Sequence, residues 1–126
     1  MKDGPSLILA LDLKNLDEAE TLLSRVGDMV GHIKVGPRLL LSGGPRWVAS
    51  LTDKWKVFLD LKLHDIPNTV KGAVEALCEM GIWAITIHIA GGRDMMSSAI
   101  EARSSGNPLL FGVTILTSLD ETGWRT

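Results

Sequence analysis

The segment Phe58-Leu59-Asp60-Leu61-Lys62-Leu63-His64-Asp65-Ile66-Pro67-Asn68-Thr69 places three charged residues of mixed sign, Asp60, Lys62 and Asp65, in an apolar, β-type stretch. Residues two apart in a strand share a face, so Asp60 and Lys62 project together while Leu59, Leu61 and Leu63 point the other way, into helix packing. Charges are costly at the buried end of a parallel strand unless they pair. A departure of this kind from the local apolar pattern is expected at functional sites. A lysine held among carboxylates keeps its ammonium form, which suits it to donate a proton or to stabilise developing negative charge.

Two further strand ends carry charge: Asp12 closes Leu9-Ala10-Leu11-Asp12, and Lys34 sits in Ile33-Lys34-Val35-Gly36. Taken singly, either is best explained as a solvated surface group. For Asp60, Lys62 and Asp65 together that explanation fails, because packing does not account for three charges within six residues. His88 ends Thr86-Ile87-His88 and fits a site residue or a hydrogen-bonded structural histidine equally well. His64 lies inside the same segment and is read as a residue behind the site. Gly91-Gly92 reads better as a strand-to-helix turn than as a phosphate loop, since a lone glycine pair is weak evidence. Met95, Met96 and the four tryptophans read as packing, and no Ser-His-Asp or zinc-type spacing occurs.

The elements that must position these groups alternate. Apolar β-type runs cover Leu7–Leu13, His32–Gly36, Lys56–Leu61, Ala84–Ala90 and Leu109–Leu116, several of them nearly continuous in Val, Ile and Leu, as parallel strands covered on both faces are. Between them, Ala19, Leu22, Leu23 and Val26 form one helical face, with Gly27 as its stop. Val70, Ala73, Val74, Leu77 and Cys78 form another, opened by Pro67 and closed by Gly81. Met95, Ala99 and Ala102 form a weaker third stripe. Gly43-Gly44-Pro45 interrupts the stretch after the second run, which predicts a short helical turn and then a helix over Trp47–Asp53. The tail Ser118–Thr126 reads as the capping segment of a helix.

A strand-to-strand repeat of roughly 25 residues suits either a doubly wound sheet or a (β/α)8 barrel. No linker or low-complexity stretch divides the 126 residues, so residues 1–126 form a single domain with no internal boundary. The expected class is α/β, a partial TIM (β/α)8 barrel holding about five of its eight βα strands, with the charges at the C-terminal strand ends where barrel sites lie. The chain is 45% hydrophobic and 22% charged, with a net charge of −2. It has no apolar run long enough for a bilayer, no secretory signal in Met1–Ser6 and no basic patch for nucleic acid. Its lone Cys78 excludes an intrachain disulfide framework and reads as a small buried hydrophobe, which fits a reducing cytoplasm.

The string from Asp60 to Val70 resembles the signature of orotidine 5′-monophosphate decarboxylases, well beyond the Asp-x-Lys-x-x-Asp core shared with a wider superfamily of sugar-phosphate decarboxylases and aldolases. Leu-Ala-Leu-Asp12, Ile33-Lys34-Val35-Gly36 and Val113-Thr114-Ile115-Leu116-Thr117-Ser118 match in order and spacing, so the resemblance runs over essentially the whole chain as the N-terminal part of that family. It implies a carboxy-lyase of pyrimidine nucleotide synthesis that uses neither metal nor organic cofactor. Lys62 would protonate C6 as carbon dioxide leaves, beside Asp60 and with Lys34 completing the catalytic network. Lys34 and Asp12 would contact the ribose, Thr117 the pyrimidine, and Ile66 the substrate. Asp65 and Thr69 would reach the partner's site across a homodimer interface. The runner-up is a magnesium-dependent enzyme of the same superfamily, against which Ile66-Pro67-Asn68-Thr69 argues. A non-catalytic α/β module, flavodoxin-like or a barrel fragment, is the alternative outside catalysis.

Barrels that take phosphorylated ligands usually grip the phosphate after strands seven and eight, beyond the five strands read here. Remote binding energy promotes chemistry at the reacting centre, so a polypeptide of these 126 residues alone is expected to be inactive or nearly so. Its open parallel edges are an aggregation hazard.

Overall fold

The computed structural model describes residues 7–125; Met1–Ser6, with the non-secretory start read there, and Thr126 lie outside the described residues. The elements alternate as β1 (Ile8–Ala10), α1 (Leu16–Val26), β2 (His32–Val35), α2 (Pro37–Leu51), β3 (Lys56–Leu63), α3 (Pro67–Glu79), β4 (Ala84–His88), α4 (Arg93–Glu101), β5 (Leu109–Val113) and a short α5 (Glu121–Arg125). All four strand pairings are parallel and the spatial order is β1-β2-β3-β4-β5. A doubly wound sheet reverses its strand order at a switch point. The unbroken sequential order therefore sets aside the flavodoxin-like alternative and gives the first five strands of a barrel wall.

Local signals explain the helices. Asn15 caps α1 by accepting the Glu18 N–H at 2.9 Å, with Asp17 and Glu18 in the first turn and Arg25 in the last, each favoured by the helix dipole. Pro67 opens α3, and Gly81, at φ 76°, follows its last turn. The short turn expected after β2 is instead a full helical segment from Pro37. It kinks at Gly44, whose φ of 74° only glycine adopts cheaply, and Pro45 starts the second piece. That piece ends at Leu51, two residues earlier than expected. The first apolar run is strand only over Ile8–Ala10, and the fifth only to Val113, while β3 extends to Leu63.

One face of the sheet is covered. Ile33, Val35, Val57, Leu59, Ile85 and Ile87 pack with Ala19 and Leu23 of α1, Leu39, Val48 and Leu51 of α2, Val70, Val74 and Leu77 of α3, and Met95 and Ala99 of α4. Cys78 is only partly buried, at the edge of its stripe rather than within the core. Ile85 is fully enclosed on a central strand. Ile85→Ala is expected to cost about 2–5 kcal/mol, seen as a lower urea midpoint at unchanged slope.

The opposite face carries alternate residues of each strand: Ile8 and Ala10, His32 and Lys34, Phe58 and Asp60, Ala84 and Thr86, Leu109 and Phe111. Its lower part is apolar, with Phe58 stacked on Phe111 at 5.3 Å and edge-on to Trp83 at 6.4 Å. Among the described residues no helix is packed over it, and Phe111 remains 45% exposed. Its upper part, toward the C-terminal strand ends, is charged.

Candidate active site

Adjacent strands deliver the charges. Lys34 comes from β2, and Asp60 and Lys62 come from β3. The register of β3 on β4 is irregular: Leu59 pairs with Ile85 and Leu63 with Ile87, so Asp60, Leu61 and Lys62 all stand opposite Thr86. Such bulges re-aim side chains beside active sites. Lys62 absorbs the extra length with a left-handed φ of 50°, an uncommon conformation for a long side chain. Its N–H, taken out of the ladder, donates to Thr86 Oγ1 at 2.8 Å.

Asp60 is the hub. Its Oδ1 accepts from Lys62 Nζ at 2.9 Å and from Thr86 Oγ1 at 2.8 Å, and its Oδ2 lies 3.9 Å from Lys34 Nζ. The Asp60 side chain is 19% exposed against 40% for Lys62, so the carboxylate is sheltered and the ammonium is open to a ligand. Partial burial alone would push the Asp60 carboxyl up. The hydrogen bonds from Lys62 and Thr86, with the charges of Lys62 and Lys34, outweigh it and hold the group below its ordinary value of 3.8. Folding thus stabilises the ionised form. That contribution is complete above the unfolded value and is lost as pH falls through the lower folded one. Urea titrations at neutral pH and below pH 4 should show a steeper acid loss of stability in the parent than in Asp60→Asn.

The remaining expected site residues surround this network without joining it. Asp12 is exposed just past β1 and lines an open cleft of about 290 Å³ with Gly36, Pro37 and Arg38. Asp65 accepts the Ile66 N–H at 2.7 Å and so shapes the turn into α3. Within this chain Lys62 pairs with Asp60 and not with Asp65. Ile66 is largely exposed, Thr69 is exposed in the first turn of α3, and Thr117 is exposed beyond β5. His88 Nδ1 accepts the Ala90 N–H at 3.2 Å, a structural use of one nitrogen, and its ring stacks on His64 at 5.2 Å. Gly91-Gly92 is a turn, as expected: a Cβ at Gly91 would overlap the Met95 sulfur, and Gly92 (φ 93°) leads into α4.

Sequence reasoning missed Thr86. Among the described residues it alone is polar and buried, at 7% exposure. The available signal was a hydroxyl inside Ala84-Ile85-Thr86-Ile87, with the parity of His88. No group of three or more His, Cys, Asp or Glu side chains among the described residues is placed to hold a metal ion. The site opposes ammonium to carboxylate, an arrangement for stabilising and protonating negative charge.

Comparison with known proteins agrees. Residues 5–124 match the family described as Orotidine 5'-phosphate decarboxylase / HUMPS. The orotidine 5'-phosphate decarboxylase of Coxiella burnetii is 42% identical over 130 residues, covering 99% of this chain and 55% of its own length. That of Hydrogenovibrio crunogenus is 46% identical over 123 residues, covering 95% of this chain and 52% of its own. The chain thus spans about half the length of the curated relatives it matches. The crystal structure of the Lactobacillus acidophilus orotidine 5'-phosphate decarboxylase superposes with a TM-score of 0.86 at 40% identity, over 97% of this chain and 58% of that one. With its family model matched over nearly the whole chain, the chain belongs to the orotidine 5'-phosphate decarboxylase / HUMPS family.

Proposed function

We propose that a complete barrel carrying this chain decarboxylates orotidine 5′-monophosphate to uridine 5′-monophosphate, with Lys62 as proton donor and without a metal ion. The observation that carries this reading is the Lys62 ammonium, fixed 2.9 Å from Asp60 and open to solvent on its other side. When the C6–carboxylate bond breaks, its electron pair stays on C6, where no adjacent carbonyl delocalises it. A pre-positioned ammonium stabilises charge where it develops, then transfers an Nζ proton to C6 and regains one from solvent. Asp60 orients the ammonium beside the departing carboxylate. Lys34 and Asp12 are assigned to the ribose, Thr117 to the pyrimidine and Ile66 to the rim of the site.

Assembly as a cytoplasmic homodimer, with Asp65 and Thr69 serving the partner's site, belongs to the same reading. Its support is that both side chains stand exposed, outside the network of their own chain. No helix among the described residues is long and apolar enough to cross a membrane.

The family description spans two groups, so the magnesium-dependent sugar-phosphate reading remains the competitor. One assay separates them: loss of pyrimidine absorbance on adding orotidine 5′-monophosphate, with and without excess chelator. The complete barrel should turn over equally in both, whereas a polypeptide of these 126 residues alone should turn over little or not at all. Abolition by chelator, or no decarboxylation by the complete barrel, would overturn the reading.

A further inference from the structure

The geometry points to Thr86 as a positioning residue for the Lys62–Asp60 pair, acting through both ends of the lysine at once. This rests on Lys62 being the proton donor. A regular parallel ladder would satisfy the Lys62 N–H with a backbone carbonyl of β4. The bulge removes that option by setting three residues of β3 opposite one of β4, and the Thr86 hydroxyl takes the carbonyl's place at 2.8 Å. The same hydroxyl spends its single proton on Asp60 Oδ1, also at 2.8 Å. Asp60 Oδ1 in turn receives Lys62 Nζ at 2.9 Å. The result is a closed ring, running from Lys62 backbone to Thr86, to Asp60, to the Lys62 ammonium. Backbone and ammonium of one residue are thereby tied to a single buried point.

Residue type follows from this. A hydroxyl is the smallest group that accepts and donates at one atom. The β-branch restricts χ1, so that oxygen does not wander. Valine keeps the shape and supplies neither bond. Serine supplies both with a freer rotamer. The charges facing Asp60 are Lys62 on its own strand and Lys34 on β2; β4 offers only the Thr86 hydroxyl, with His88 farther out on the same face and Val113 of β5 beside it. Losing the hydroxyl therefore removes a donor from a sheltered carboxylate and leaves the lysine backbone without its anchor. A displacement of the reacting group by about 1 Å costs on the order of 100-fold in rate.

The test uses Thr86→Val and Thr86→Ser in a complete barrel carrying this chain, with Lys62→Ala beside them. Thr86→Val should lower kcat about 10- to 100-fold with KM changed less than about 3-fold, and move the acid limb of the kcat profile upward in pH. Thr86→Ser should recover most of kcat and return the acid limb to its parent position. A merely structural threonine would shift thermal stability without moving that limb. If Thr86→Val does not fold, Thr86→Ala removes the same hydroxyl without placing a methyl against the carboxylate, and is read in the same way. Parent kcat and acid limb in a hydroxyl-free variant would overturn the proposal, as would failure of both hydroxyl-free variants to fold. If Lys62→Ala turns over at the parent rate, the proton-donor reading itself has failed. That outcome is distinct from a silent Thr86 in an enzyme that Lys62→Ala inactivates.

Discussion

Lys62→Ala in a complete barrel carrying this chain should lower kcat by at least about 10⁴-fold, by far the largest effect of any single change at the site. General acid catalysis is typically worth about 10²–10⁴, and one preorganised electrostatic contact about 10²–10³. Both roles are assigned to the same Nζ, so their loss is not divisible into separate deletions. The fold should survive. The Lys62 side chain is 40% exposed, and Asp60 keeps its bond from Thr86 and its neighbour Lys34 when Lys62 is gone. Thermal unfolding and circular dichroism should therefore match the parent while single-turnover absorbance traces go flat. A variant within about 10-fold of the parent rate would mean that another group delivers the proton.

Asp60→Asn should rank second, with kcat down about 10²–10³-fold. The amide fills the same space, so packing under Leu59 and Leu61 is preserved. What changes is the electrostatics. The parent carboxylate gathers Lys62, Thr86 and Lys34 around two oxygens. An amide offers one acceptor and turns its NH2 toward a cation, leaving the Lys62 ammonium loosely aimed. Steady-state kinetics then separates two roles. An unchanged KM marks Asp60 as an orienting group alone, whereas a KM falling together with kcat marks repulsion of the substrate carboxylate in the ground state. Retention of the parent kcat would remove Asp60 from the reaction.

The barrel-like order and the central ion pair were legible in the sequence because both rest on local rules. Continuous Val, Ile and Leu runs at 25-residue spacing announce parallel strands. The i, i+2 parity of Asp60 and Lys62 brings them to one face whichever strand lies beside them. What escaped the sequence depends on partners. The bulge in β3 exists only relative to β4, and neither the left-handed φ of Lys62 nor the double duty of Thr86 can be read along one strand. The pairing of Asp65 with the Ile66 N–H, rather than with Lys62, is set by the turn that starts α3. Gly44-Pro45 was visible as an interruption. Whether it ends a helix or merely bends one depends on how Leu39 before it and Val48 after it share the same core.

The sequential strand order has a consequence for synthesis. Partners such as Leu9 and Ile33, Ile33 and Val57, Leu59 and Ile85, and Ile85 and Leu110 lie about 25 residues apart in every case, so each strand docks on the one made just before it. A chain emerging from the ribosome can add one βα unit at a time and need not wait for a distant partner. Lys34, Asp60, Lys62 and Thr86 lie on three consecutive strands of that series, β2 to β4. These charges can therefore be brought together as soon as β4 has docked on β3.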